Sequence, residues 1–183
     1  MMPTATVEIR PIVEAEIALL ETCFPEGGSA KHAERLSHQQ RGEVVYLVAW
    51  HQGKPVGHVL LKWSGSQDQQ VVRQLKAACP DVEDLFVLAG LRSQGIGRQL
   101  LEAAEQLVSQ QGFTMIGLSV GAETNDPARR LYERLGYQDA HFGEYAETGE
   151  YLDEKGQHHV WKEVCIYLIK GLQDHRFTEA KAA

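Results

Sequence analysis

Cysteine is scarce in this chain, and long apolar runs are missing altogether. Cys23, Cys79 and Cys165 are odd in number, far apart and without Cys-x-x-Cys spacing. That pattern argues against a disulfide framework and points to reduced thiols in a cytoplasm-like compartment. No base is paired with any of the three in the sequence, so none is assigned as a nucleophile. No apolar stretch approaches the roughly 18 residues of a membrane span, and no basic-plus-apolar leader is present, so neither a membrane helix nor a secretory signal is expected. Positive charge is also in deficit: 18 Lys and Arg against 25 Asp and Glu leave a formal net charge of −7. Such a balance speaks against a general nucleic-acid-binding surface. It suits a cationic amine ligand and serves solubility equally well. His158-His159, adjacent on a strand, point to opposite faces, and no metal is assigned.

What is present is a chain of 183 residues with 43% hydrophobic content, enough for one globular domain over residues 1–172 with a frayed tail over 173–183. Periodicity predicts a strand over 6–13, helices over 14–23 and 31–40, and a hairpin of strands over 44–50 and 56–63. A short helix over 71–78 precedes Pro80, and a strand over 82–88 leads to an amphipathic helix over 96–110. A strand over 115–120 and a short helix from Asp126-Pro127 to Gly136 follow. Two long strands, 142–152 and 160–169, turn through Asp153-Glu154-Lys155-Gly156. The class is α/β, without internal repeats.

The densest signal is Leu91-Arg92-Ser93-Gln94-Gly95-Ile96-Gly97-Arg98, between a strand and a helix start. The first N–H groups of a helix lack intrahelical partners, and the helix dipole favours anions there. Gly95 and Gly97 allow a phosphate close to the main chain, and Arg92 and Arg98 can add charge-assisted hydrogen bonds. A Walker A loop is excluded, because no Gly-Lys-Ser or Gly-Lys-Thr occurs. A dinucleotide fingerprint fails at Leu100, where a third Gly or Ala is required.

The segment Asn125-Asp126-Pro127-Ala128-Arg129-Arg130-Leu131-Tyr132-Glu133-Arg134-Leu135-Gly136-Tyr137 completes the pattern. Arg92-Ser93-Gln94-Gly95-Ile96-Gly97 fits the Gln/Arg-x-x-Gly-x-Gly/Ala loop, and Tyr132 to Tyr137 the Tyr-x-x-x-Gly-Phe/Tyr helix, of the GNAT superfamily of N-acetyltransferases, which this chain resembles over residues 82–138. Many relatives carry Pro-Glu before the Arg and Gly after it, where this chain has Ala89-Gly90 and Ser93. The resemblance implies the GNAT fold: a mixed central sheet with splayed parallel strands, flanking helices and here a C-terminal β-hairpin.

It further implies an acetyl-coenzyme A co-substrate and no metal. Leu85, Phe86, Val87, Arg92, Ser93, Gln94, Gly95, Ile96, Gly97, Arg98 and Asn125 would contact the coenzyme, and backbone N–H groups near Val87 would polarise the thioester carbonyl. Glu83-Asp84-Leu85-Phe86-Val87 looks especially like the strand of diamine and polyamine acetyltransferases, in which the equivalent Glu takes the amine proton. Tyr132 would protonate the departing thiolate, since a phenol with a pKa near 10 keeps its proton at neutral pH. The expected activity is direct acetyl transfer to a primary amine, small and cationic, in a ternary complex. A non-catalytic acetyl-coenzyme A sensor is the alternative. The acidic cluster Glu144, Glu147, Glu150, Asp153 and Glu154 reads from the residues themselves as a solvated face or as the rim of an amine cleft. The expected partner is a small-molecule amine, with no nucleic acid and no membrane. A homodimer is compatible with the sequence, which does not fix the oligomeric state.

Overall fold

The computed structural model describes residues 6–26, 30–123, 126–152 and 155–172. β1 (Glu8–Pro11), β2 (Val44–His51), β3 (Lys54–Lys62) and β4 (Asp81–Val87) form an antiparallel run, and β5 (Met115–Gly121) lies parallel to β4. The C-terminal half of β8 (His158–Gly171) pairs antiparallel with β5, and its N-terminal half with β7 (Tyr145–Leu152). The two-residue β6 (Gln138–Asp139), not anticipated from sequence, pairs with β8 at Leu168 and Ile169. The helices are α1 (Ile17–Cys23), α2 (Ala30–Gln40), α3 (Gln69–Gln74), α4 (Ile96–Gln110) and α5 (Pro127–Arg134).

β2 and β3 read as nearly continuous apolar runs because both sheet faces are covered. On one face Leu47, Ala49, Val59 and Leu61 pack with Ile96, Leu100, Leu101, Ala104 and Val108, the apolar stripe of α4. On the other, Tyr46, Val48, Trp50 and Leu60 pack with Leu20 and Phe24 from the α1 region and Leu36 of α2. The β2–β3 turn places Gln52 (φ 51°) and Gly53 (φ 75°) in the left-handed region, as a two-residue hairpin with right-handed strand twist requires.

Several boundaries differ from expectation. β1 is shorter than 6–13, because Glu16 turns back to accept a hydrogen bond from the Val13 N–H at 3.0 Å and starts a 3-10 turn at Glu14. α3 begins earlier than 71, because Asp68 accepts from the N–H groups of Gln70 and Val71 and caps it. β7 starts at Tyr145 rather than 142, since His141 (φ 57°) and Gly143 (φ 84°) break extended geometry. Asp153, Glu154 and the tail over 173–183 lie outside the described residues, and no helix among the described residues is long and apolar enough to cross a membrane.

Candidate active site

The site is organised by a parting of strands. β4 and β5 share one ladder position, Asp81 opposite Gly117, after which the described residues show no further pairing between them. The backbone edge of β4 beyond Asp81 therefore faces a gap. β4 is also bulged: between the pairs Leu60–Glu83 and His58–Phe86, β3 advances two residues and β4 three. Asp84 adopts φ 50° at this extra residue. Beyond the bulge, Leu85 and Val87 pack on the α4 side, whereas Phe86 turns to the opposite core and stacks on His58 at 5.4 Å. Any coenzyme contact of Phe86 therefore belongs to its backbone.

The glycine turn sits where the sequence places it. Gly95, at φ 81°, is the residue before the first turn of α4, and its carbonyl accepts from the Gln99 N–H at 3.1 Å. Ser93 is left-handed too, at φ 63°, the conformation glycine adopts without strain. A Cβ at Gly97 would lie 3.6 Å from Leu131 and 3.8 Å from both Leu85 and Val87. The turn, the end of β4 and α5 thus converge at one point. Arg92 donates through Nε to the Val87 carbonyl at 3.0 Å, with its guanidinium 5.9 Å from the Phe86 ring centroid, and Arg98 donates to Glu102 at 2.7 Å. Asn125 lies outside the described residues. The arrangement offers an anion a helix N-terminus with glycine at Gly95 and Gly97.

Tyr132 stands on α5, held by two N-terminal devices: Asp126 accepts from the Ala128 and Arg129 N–H groups, and Pro127 occupies the first turn. Its ring meets Tyr137 edge to face at 5.9 Å, and burial pushes the phenol up to about 12. No hydrogen bond to its hydroxyl is present among the described residues, so the proton is retained and uncommitted.

Tyr132 and Glu83 line one cleft of about 1270 Å³. Sequence reasoning missed several other residues of its walls. Lys62 donates to Glu83 at 2.5 Å. Lys31 and Arg35, one turn apart on α2, both engage Asp84, at 3.0 and 2.6 Å. Partial burial works against the charge of Asp84, but the Arg35 and Lys31 cations outweigh it and hold the carboxyl below its ordinary range. Across the cleft Glu147 and Glu163 face each other in the β7–β8 ladder, with Glu150 and Trp161 nearby. Of the acidic residues that the sequence offers as a rim, Glu147 and Glu150 line the cleft and Glu144 does not, whereas Glu163 emerges only from strand register. Asp81, buried at 2% exposure, lines the cleft beside Ser119. Among the described residues no cluster could hold a metal ion. Burial pushes the Cys79 thiol up to about 11 and the Cys165 thiol up to about 12, so neither offers a thiolate at neutral pH.

This geometry has relatives. An aminoalkylphosphonate N-acetyltransferase of Salmonella typhimurium is 32% identical over 103 residues, covering 56% of this chain and 55% of that protein. An N-acetyltransferase of Methanocaldococcus jannaschii is 29% identical over 102 residues, covering 55% of this chain and 42% of its own. The chain spans about half the length of the curated relatives it matches. Among solved structures, an N-acetyltransferase from Staphylococcus aureus superposes with a TM-score of 0.67 at 14% identity, over 92% of this chain and 100% of that one. NAA60 of Arabidopsis thaliana, solved with acetyl-CoA, gives 0.64 at 22% identity, over 91% and 98%. These two likenesses establish the fold. The model of the acetyltransferase (GNAT) family matches residues 13–137, from the start of the first helical turn through Tyr137, and the chain belongs to that family.

Proposed function

We propose that this protein is an acetyl-coenzyme A-dependent N-acetyltransferase acting on a small primary amine by direct transfer in a ternary complex. One observation carries the reading: β4 and β5 part after a single ladder position, and the glycine turn at the start of α4 meets both the end of β4 and α5, the helix that carries Tyr132 into the cleft. The pyrophosphate of the coenzyme lies across residues 94–98, at the helix N-terminus. The pantetheine arm runs in the gap as an added strand would, held by the free edge of β4, and places the thioester before Tyr132.

A thioester carbonyl is already activated, so a neutral amine attacks it without a covalent enzyme intermediate. The protein must deprotonate the ammonium, orient the amine and support the charge passing to oxygen and sulfur. Glu83, in the cleft, takes the amine proton through water. Tyr132 gives its proton to the departing sulfur. Backbone N–H groups at the end of β4 polarise the carbonyl.

The acceptor reads as a small cationic amine, drawn by the acidic wall of Glu147, Glu150 and Glu163. The Salmonella relative is named for acceptors carrying both an amine and a phosphonate, and Lys31 and Arg35 on the opposite wall give an anionic end a place to sit. The test is coenzyme A release from acetyl-coenzyme A with a panel comprising a diamine, an aminoalkylphosphonate, an amino acid, an aminoglycoside and a peptide N-terminus. Amine-dependent release is expected; release at the same rate with and without amine would refute the reading.

A further inference from the structure

We propose that Asp81 is a further catalytic residue, a second proton acceptor beside Glu83 for the amine acetylation described above, on which the proposal rests. Asp81 opens β4 at the one position where that strand pairs with β5, so it sits where the gap begins. It lies two residues before Glu83 and therefore on the same strand face, and both line the cleft with Ser119 and Tyr132.

The surroundings of Asp81 are built rather than incidental. Among the described residues it is the one carboxylate in the fully buried class, and no ion pair reaches it. Its partner is the Tyr167 hydroxyl of β8, which donates to Oδ1 at 2.8 Å. Tyr167 reaches it because β5 carries Gly117 opposite Asp81: a Cβ at Gly117 would overlap the Tyr167 hydroxyl and ring. The Phe142 ring stacks on Tyr167 at 6.1 Å, and the Cys79 thiol lies 3.9 Å from its hydroxyl. A buried carboxylate without a cation is expensive, and a perturbed carboxyl lining a cleft is a candidate for proton exchange.

The charged and titratable groups around Asp81 come from every neighbouring element. Glu83 lies on its own strand, Lys62 on β3, Glu147 on β7, Tyr167 on β8 and Cys79 in the segment before β4. Burial, with Glu83 second, raises the Asp81 carboxyl to about 8, and Tyr167 and Lys62 oppose the rise. A group that exchanges its proton near neutrality is matched to general-base work. Lys62 is committed to Glu83, which leaves Asp81 the carboxyl of the pair without a bound cation.

The step balances as follows. The amine nitrogen forms a bond to the acetyl carbon, the carbon–sulfur bond breaks, and its electron pair leaves with sulfur, which takes the Tyr132 proton. Glu83 takes the ammonium proton before attack and passes it to solvent; the second proton, released as nitrogen bonds to carbon, passes to the Asp81 carboxylate, directly or through one water. Exposed Glu83 then carries that proton to solvent, and solvent restores Tyr132.

The experiment is the pH profile of kcat on the fastest amine of the panel above, for wild type, Asp81→Asn, Tyr167→Phe and Glu83→Gln. Coenzyme A affinity serves as the control for an intact site. Acceptor ionisation is common to all four proteins and cancels in the comparison. Wild type should show kcat rising several-fold between about pH 7 and about pH 9, and Glu83→Gln, which removes a charge that raises the Asp81 carboxyl, should keep the rise at lower pH. Asp81→Asn, which keeps the shape and can still accept from Tyr167, should lose that rise while binding coenzyme normally. Tyr167→Phe removes a donor to the carboxylate and should move the rise to higher pH. A folded Asp81→Asn with the wild-type profile overturns the proposal. Should that variant not fold, an unmoved profile in Tyr167→Phe overturns it alone. Wild-type turnover with unmoved profiles rejects Asp81 and leaves the acetyltransferase reading intact, whereas a wild-type protein without amine-dependent turnover rejects both.

Discussion

The Lys62 ammonium donates to the Glu83 carboxylate at 2.5 Å across β3 and β4, with Lys62 largely covered and Glu83 open to the cleft. Glu83 therefore faces the cleft with a cation at its back. The pair holds the carboxylate in place, so on the proposed reading a protonated amine entering the cleft would meet a fixed acceptor oxygen. Glu83→Gln should lower kcat/KM by roughly 10–100-fold near pH 6.5, where the amine arrives protonated. The deficit should shrink towards pH 9, where the substrate supplies its own free base. A constant ratio to wild type across that range would leave Glu83 as an ordinary strand carboxylate.

Tyr132→Phe removes the hydroxyl while keeping the ring that packs on Tyr137. Turnover should fall by roughly 10²–10⁴-fold, the range of general acid catalysis, with coenzyme affinity nearly unchanged. Circular dichroism should be superimposable on wild type. Turnover within about twofold of wild type would assign the proton to water and leave Tyr132 a packing residue.

Gly97 offers the cleaner test of the phosphate turn. Gly95 is left-handed, so any larger residue there strains the backbone whatever it does to the ligand. At Gly97 a Cβ meets only ordinary contacts with Leu131, Leu85 and Val87. Gly97→Val adds two methyls beyond that Cβ, so circular dichroism checks its fold; the folded variant should raise the coenzyme KM by about 10-fold or more and leave the acceptor KM close to wild type. Unchanged coenzyme affinity in calorimetry would move the coenzyme off this turn.

Buried histidines make the fold acid-sensitive. Burial holds His58, 1% exposed and stacked on Phe86, down at about 3, and lowers His32 as well. A folded pKa below the unfolded one means that the contribution of His58 is fully present above about pH 6.5 and is lost as pH falls towards about 3. Wild type should lose about 2 kcal/mol relative to His58→Leu on going from pH 7.5 to pH 5. Urea unfolding at the two pH values measures this, and parallel curves would contradict it.

Sequence reading reached the parts of the site that are local in the chain. The glycine turn, the α4 stripe, and the Asp126 cap that positions Tyr132 each lie within a few residues of their partners, so spacing reveals them. The remainder depends on register between distant strands. Asp81 and Tyr167 are 86 residues apart, and Glu147 meets Glu163 only because β7 and β8 pair with that offset. The bulge that puts Asp84 at φ 50° has no glycine to advertise it, and Ser93 hides a left-handed position behind a residue that usually avoids it.

Mass spectrometry of protein and products after incubation with acetyl-coenzyme A and the amine panel tests the central claim most directly. Direct transfer predicts one acetylated amine for each coenzyme A released, with no acetyl group on the protein at any time. That outcome fits a fold whose Cys79 and Cys165 thiols are buried in the core, away from the cleft lining, and held well above neutrality. Coenzyme binding without amine-dependent release, or an acetyl-protein that forms first and is then discharged by the amine, would contradict it.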